Sequence, residues 1–167
     1  PGRAGMEPAL SLDYSSRSGD GVAGMGWSLS GLSAIHRCPQ TPEQDDSTSA
    51  SYAPGITYTN NDRLCLDGQR LVKVNAGAYG LSGSEYRTEI DSYARITQTG
   101  GDLSGATTCF RVERKDGRIL HYGAVTVGSP LPTSCVASTA HARVQPASAS
   151  ATLSWQVERI EDRDRKS

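Results

Sequence analysis

The residues with the most chemistry to offer are four cysteines, Cys38, Cys65, Cys109 and Cys135. None sits in a C-x-x-C pair, which argues against a zinc ribbon or a thioredoxin-type redox centre. Four cysteines allow three pairings. Neighbour pairing, Cys38 with Cys65 and Cys109 with Cys135, closes two separate loops without threading one through the other. In the chain-entropy picture a loop of somewhat under about 30 residues gains about 3.5 kcal/mol. The competing reading is four buried thiols in a reducing compartment. Because a loop-rich chain benefits from staples, disulfides and a secreted, extracellular setting are expected.

The other reactive residue types are scattered. His36 and Cys38 are two apart and face one side of a strand. A metal there needs a further ligand from elsewhere, and no local cluster offers one, so no metal is expected. His121 falls in a strand pattern and His141 in a polar stretch. Gly19-Asp20-Gly21-Val22-Ala23-Gly24 matches G-x-G-x-x-G, but a dinucleotide site needs a helix behind the glycines. Here Gly26, Ser28, Ser30 and Gly31 follow, all poor helix formers. The segment reads better as a tight turn, with Gly26 leading Trp27 into a packed site beside Leu29 and Leu32. Gly26 to Gly31 also lacks the G-x-S-x-G spacing of a nucleophile elbow. The acidic pairs Asp45-Asp46, Glu158 with Glu161, and Asp162 with Asp164 lie in a polar loop or a charge-alternating tail. Neither supplies the cleft that shifts a catalytic carboxyl. No catalytic or cofactor-binding residue is expected, and the chain does not read as an enzyme. Tyr52, Tyr58 and Tyr79, near loops, leave a rival reading as a carbohydrate- or partner-binding module.

Strands must position these residues. Gly, Pro, Ser and Thr interrupt every helical period. Leu10, Leu12 and Tyr14 alternate with Ser11 and Asp13, which predicts a strand over Pro8 to Tyr14. Two hairpins are expected around Asp67-Gly68 and Asp116-Gly117. A type I′ turn needs positive φ at both central residues, and Asp-Gly tolerates that well. Further strands are expected at Ile56 to Tyr58, Tyr86 to Glu89, Ala94 to Thr97 and Leu153 to Ile160, the last carrying Trp155. Residues 39–54 and 128–152 read as loops, and Glu158 to Lys166 as a solvated tail.

The totals agree. The chain has 167 residues, which suits a single domain spanning 1–167. Net charge is −1 and no basic stripe occurs, so no nucleic-acid partner is expected. No apolar run approaches the roughly 20 residues of a membrane-spanning helix, and no membrane insertion by this segment is expected. The chain begins Pro1-Gly2 without Met or a signal pattern, which reads as a piece of a longer precursor.

The ordered motifs carry a resemblance. Pro1-Gly2, Gly5-Met6, Pro8 and Leu10-Ser11-Leu12 lead to Tyr14-Ser15-Ser16. Gly19-Asp20-Gly21, Gly24-Met25-Gly26-Trp27-Ser28-Leu29-Ser30-Gly31 and Ile35-His36-Arg37 follow. Asp62 to Leu71, Tyr86-Arg87-Thr88-Glu89, Lys115-Asp116-Gly117, Tyr122-Gly123 and Trp155-x-Val157-x-x-Ile160-x-Asp162 complete the series. This resembles the N-terminal region of the Salmonella virulence plasmid B protein family, which also opens insecticidal toxin complex B components and many Rhs/YD-repeat toxins. The resemblance implies an all-β fold of short antiparallel hairpins with long loops, part of a larger β-sheet shell. It implies a structural module of a secreted bacterial toxin, enclosing a C-terminal toxic segment. The implied partners are the remainder of the parent chain and other toxin-complex subunits. Strand edges awaiting neighbours from that remainder are expected to be exposed. At the position where the family continues Gly-Asn after Asp162, this chain has Arg163-Asp164-Arg165.

Overall fold

The computed structural model describes residues 10–16, 20–21, 24–46, 48–49, 52–105, 107–123, 135, 143–146 and 151–161. Among them are thirteen strands and no helix, as the broken helical periodicity requires. The chain divides into two compact units, Pro1–Ser33 and Ala34–Ser167.

The first unit is a pair of small hairpins. β1 (Ser11–Tyr14) pairs antiparallel with β4 (Trp27–Ser30), and β2 (Asp20–Gly21) with β3 (Gly24–Met25). The β1–β4 register sets Leu12 opposite Leu29 and Tyr14 opposite Trp27. The period-two pattern of β1 therefore gives one apolar face, as its sequence dictates.

The second unit is a closed ring. β5 (Ala34–Cys38), β6 (Arg63–Leu66), β7 (Gln69–Lys73), β8 (Glu85–Thr88), β9 (Arg95–Thr99), β10 (Cys109–Glu113) and β11 (Ile119–Tyr122) each pair antiparallel with the next. β13 (Ser154–Glu161) then pairs with β5 through its first half and with β11 through its second. The result is an eight-stranded antiparallel barrel. β12 (Arg143–Val144) adds a two-residue edge to β13, inside the segment expected to be loop from 128 to 152. The rest of that segment, apart from Cys135 and residues 145–146 and 151–152, lies outside the described residues. Open strand edges were the expectation; in this unit the ring satisfies its own ladders, because β13 is long enough to reach both neighbours. A register shift between His121 and Tyr122 bends β13. Trp155 and Val157 face the core before the shift, and Ile160 after it.

An eight-stranded barrel is just wide enough for side chains to fill it. Ile35, Leu64, Leu66, Leu71, Tyr86, Ile96, Phe110, Val112, Leu120, Tyr122 and Trp155 do so here. Outward positions carry ion pairs, across strands between Arg95 of β9 and Glu85 of β8 at 2.8 Å and along β10 between Arg111 and Glu113 at 2.8 Å. Tight turns gather at one end and long excursions at the other. The Asp67-Gly68 turn is the expected type I′, with φ of 49° and 82°. The second turn differs. Only Gly117 has positive φ (88°), and the Arg114 amide donates to the Arg118 carbonyl across a three-residue loop. That is a type I turn with a bulge, not a two-residue turn, and it places Val112 opposite Leu120. Two other expectations also give way. Ile56 to Tyr58 is not a strand, because the Thr57 and Tyr58 amides bond the Asp62 carboxylate instead of a ladder. Glu158 to Glu161 belongs to β13 rather than to a solvated tail.

The long-loop end is closed by a cation. Arg37 follows Ile35 on the inward face of β5 and is fully buried with Asp62, 2.8 Å away. Its Nε donates to the Thr152 carbonyl, and its other nitrogens to the Thr59 and Leu103 carbonyls. A buried ion pair adds little over an apolar pair, but removing one partner strands the other charge. Arg37→Met is therefore expected to lower unfolding stability by about 3–5 kcal/mol in a urea titration. The exposed Arg95→Ala should cost about 1 kcal/mol or less. Equal effects from the two would contradict this reading.

Candidate functional site

The reactive residues singled out in the sequence go mainly to structural work. Cys38 is bonded to Cys65 and Cys109 to Cys135, the neighbour pairing, with Cα separations of 6.0 and 5.8 Å. The first bond crosses β5 and β6; the second anchors Cys135 beside β10. Trp155 is buried, donates from Nε1 to the Thr108 carbonyl at 2.9 Å, and meets Phe110 edge-on at 5.1 Å. Asp67 caps the start of β5, its Oδ1 accepting from the Ala34 amide at 2.8 Å. Asp45 lies between Arg63 and Arg70 at 2.6 and 2.5 Å. Burial pushes its carboxyl up, but the Thr41 amide and the two arginines outweigh this and hold it below the ordinary carboxylate range. Asp162, Asp164 and His141 lie outside the described residues.

The tyrosines proposed as sugar platforms are half-buried. The Tyr79 hydroxyl accepts from the Leu64 amide at 2.9 Å and donates to the Leu71 carbonyl at 3.2 Å, beneath the Arg63 guanidinium. Burial, with Tyr86 adding to it, raises its pKa. Tyr52 and Tyr58 sit in the β5–β6 excursion, Tyr58 at positive φ. Sequence reasoning missed Arg37, Asp62 and Gln98. Gln98 is buried, accepts from the Tyr86 hydroxyl at 2.7 Å and donates to the Gly80 carbonyl. The available signal was the strand period: Arg37 and Gln98 share faces with Ile35 and Ile96, where an apolar residue is due.

The β1–β4 hairpin exposes a run of large apolar side chains. Trp27 was expected in a packed site. Instead it lies 5.3 Å from the Tyr14 ring with 40% of its surface exposed, and Tyr14 itself is 62% exposed. Leu10, Leu12, Met25 and Leu32 are exposed too; the Leu29 side chain lies outside the described residues. Gly26 is needed for this pairing. Its φ is 79°, and a Cβ there would stand 2.7 Å from the Tyr14 ring. The described part of the Gly19 to Gly24 run forms β2–β3 and leads into β4, with no helix behind it for a pyrophosphate.

The family model for the Salmonella virulence plasmid 65kDa B protein matches residues 1–163. The chain belongs to the SpvB family. The N-terminal domain of effector protein SpvB from Salmonella typhimurium strain LT2 shares its fold, with a TM-score of 0.61 and 24% identity over 96% of this chain and 48% of that one. The Photorhabdus luminescens Tc holotoxin pore matches with a TM-score of 0.63 and 19% identity over 95% of this chain and 7% of that one. A TcdB2-TccC3 crystal structure matches with a TM-score of 0.62 and 20% identity, again over 7% of its length. The SpvB-family chain thus spans about half of one solved relative and a small part of the others. No curated protein matches it by sequence.

The barrel of this SpvB-family chain also carries a buried histidine. His121, on β11, lies between Arg111 of β10 and Arg159 of β13. Glu161 is 3.6 Å from its Nε2, and neither ring nitrogen has a hydrogen bond. Burial lowers the His121 pKa more than Glu161 raises it, and burial lowers that of His36 likewise. A group that is harder to protonate when folded supplies stability that is complete above its unfolded value, near 6.5, and that is lost as pH falls through its folded value. Stability is therefore expected to decline between pH 7 and pH 5. His121→Asn should make that decline shallower in denaturant titrations across the range; an unchanged slope would contradict the assignment.

Proposed function

We propose that this segment is a wall element of a secreted bacterial toxin shell that encloses a toxic C-terminal segment. The observation that carries this is the contrast between the two units. The barrel pairs its own strands and carries ion pairs on its outside, with scattered exposed apolar residues such as Val72, Ile90 and Tyr93. The β1–β4 hairpin leaves Tyr14, Trp27, Leu12 and Met25 in water, which is costly unless something covers them. The remainder of the parent toxin chain is the partner this reading supplies, with other toxin-complex subunits beyond it. The fold shared with SpvB and with Tc toxin components supports the reading, as do the two disulfides, which suit an extracellular protein. A toxin wall needs rigidity and complementary surfaces rather than a reaction of its own, so no catalytic role is assigned.

The exposed Tyr14 and Trp27 rings are also where the glycan-binding alternative would have to reside. The double variant Tyr14→Ser/Trp27→Ser separates the two. On the shell reading it lowers binding of the dye ANS by this chain while leaving the barrel's thermal midpoint unchanged. In the longer toxin it also makes the enclosed segment accessible to added protease. Saturable glycan binding lost in the same variant, with protease protection intact, would overturn the shell reading.

A further inference from the structure

The β5–β6 ladder does something that the sequence left incomplete. His36 and Cys38 share the outward face of β5, and the register sets Cys65 directly opposite His36. The third ligand that the chain lacked locally therefore arrives across the strand pair. The His36 ring nitrogen and the Cys38 and Cys65 sulfurs all lie within 4.8 Å of one another. In a tetrahedral zinc site, bond lengths of about 2.3 Å to sulfur and 2.0 Å to nitrogen put ligand atoms about 3.5 to 3.8 Å apart. The three atoms already span that scale, and only the bonded sulfurs must part.

We propose that reduction of the Cys38–Cys65 disulfide turns this outer face of the barrel into a binding site for one zinc-class divalent cation. Its ligands are His36, Cys38 and Cys65, and a fourth position remains open. The proposal is independent of the shell reading. In the first step a reductant gives two protons and two electrons to the disulfide: the Cys38–Cys65 S–S bond breaks and two thiols form, while a dithiol becomes a disulfide or a phosphine takes oxygen from water and becomes its oxide. In the second step the cation forms two metal–sulfur bonds and displaces two protons, while His36 gives a ring lone pair without proton loss. Two soft thiolates and an imidazole suit zinc better than magnesium or calcium.

The surroundings permit this. The strand ladder fixes the three Cα positions whether or not the sulfurs are bonded, because the β5–β6 pairing runs from Ile35–Leu66 to Cys38–Arg63. His36 and Cys38 are half-buried and Cys65 is 7% exposed, so a reductant and an ion approach from the His36 and Cys38 side. Arg63, in register with Cys38, does not present a free cation to the site: its Nε is committed to Asp45 at 2.6 Å and its guanidinium covers the Tyr79 ring. In the oxidised chain both sulfurs are occupied by each other, so the same three residues change from staple to metal site with redox poise.

The test uses cobalt(II) as the probe on the full 167-residue chain, oxidised and after TCEP reduction. The reduced chain is expected to bind one equivalent, with thiolate charge-transfer and tetrahedral ligand-field bands, and to release two protons per ion. The oxidised chain should show neither. His36→Ala should weaken binding at least about tenfold, since even outer-shell partners of a metal ligand are worth that much. This variant separates the site from Cys109 and Cys135, whose freed thiols do not depend on His36. If reduction alone loosens the fold, zinc should restore the thermal midpoint in the reduced wild type and not in Cys38→Ser/Cys65→Ser. No cobalt spectrum on reduction, unchanged affinity in His36→Ala, or no zinc-dependent recovery would each overturn the proposal.

Discussion

The barrel exists because one strand pairs on both sides. β13 joins β5 through Ser154, Trp155 and Gln156 and joins β11 through Val157, Arg159, Ile160 and Glu161. Without it, β5 and β11 would each leave a row of unpaired backbone groups, the pattern that invites aggregation. Everything else in the unit follows from that closure. Trp155 enters the core from the closing strand, Arg37 plugs the end where the long excursions meet, and ion pairs lie on the outer face.

Arg37 and Trp155 show how the closure is fixed in place. The guanidinium stands 5.9 Å from the indole ring and bonds carbonyls from three separate segments, at Thr59, Leu103 and Thr152. Loops with little regular structure thereby share one buried cation, held by bonds from Nε and both terminal nitrogens. Asp62 completes the set and also holds the Thr57 and Tyr58 amides. Such a network adds less stability than an apolar plug of the same size, but it leaves one arrangement far better than any other. On the proposed shell reading, uniqueness of arrangement is the useful property.

Much of this was legible in the residues. The period-two runs of β1, β8, β9 and β13 and the Asp67-Gly68 turn read directly, and neighbour pairing of the cysteines was the expected one of three possible pairings. The ordered motifs pointed to the SpvB family, which the match over residues 1–163 establishes. The misses have physical causes. Ile56 to Tyr58 has strand composition, yet a single carboxylate at Asp62 outcompetes a ladder for its amides. Asp116-Gly117 has the letters of a two-residue turn, but Lys115 joins the loop, and the strand register decides which form fits. Trp27 is large and apolar, and burial was the natural inference; its exposure is what points to a covering partner. Arg37 and Gln98 were invisible because a polar residue at one inward position looks like a break in the pattern until its partners are known. The third ligand beside His36 and Cys38 was out of reach for a similar reason, since only the strand register brings Cys65 across.

Native-state hydrogen exchange at the amides of β13 is the most direct test of the closed ring. If β13 completes the barrel, Trp155, Val157 and Ile160 exchange only through global unfolding, with the same protection as Ile96 and Gln98 in β9, far from the closure. If the sheet is open at this seam, the β13 amides exchange through small local openings while β9 stays protected, and the account of a self-satisfied barrel fails.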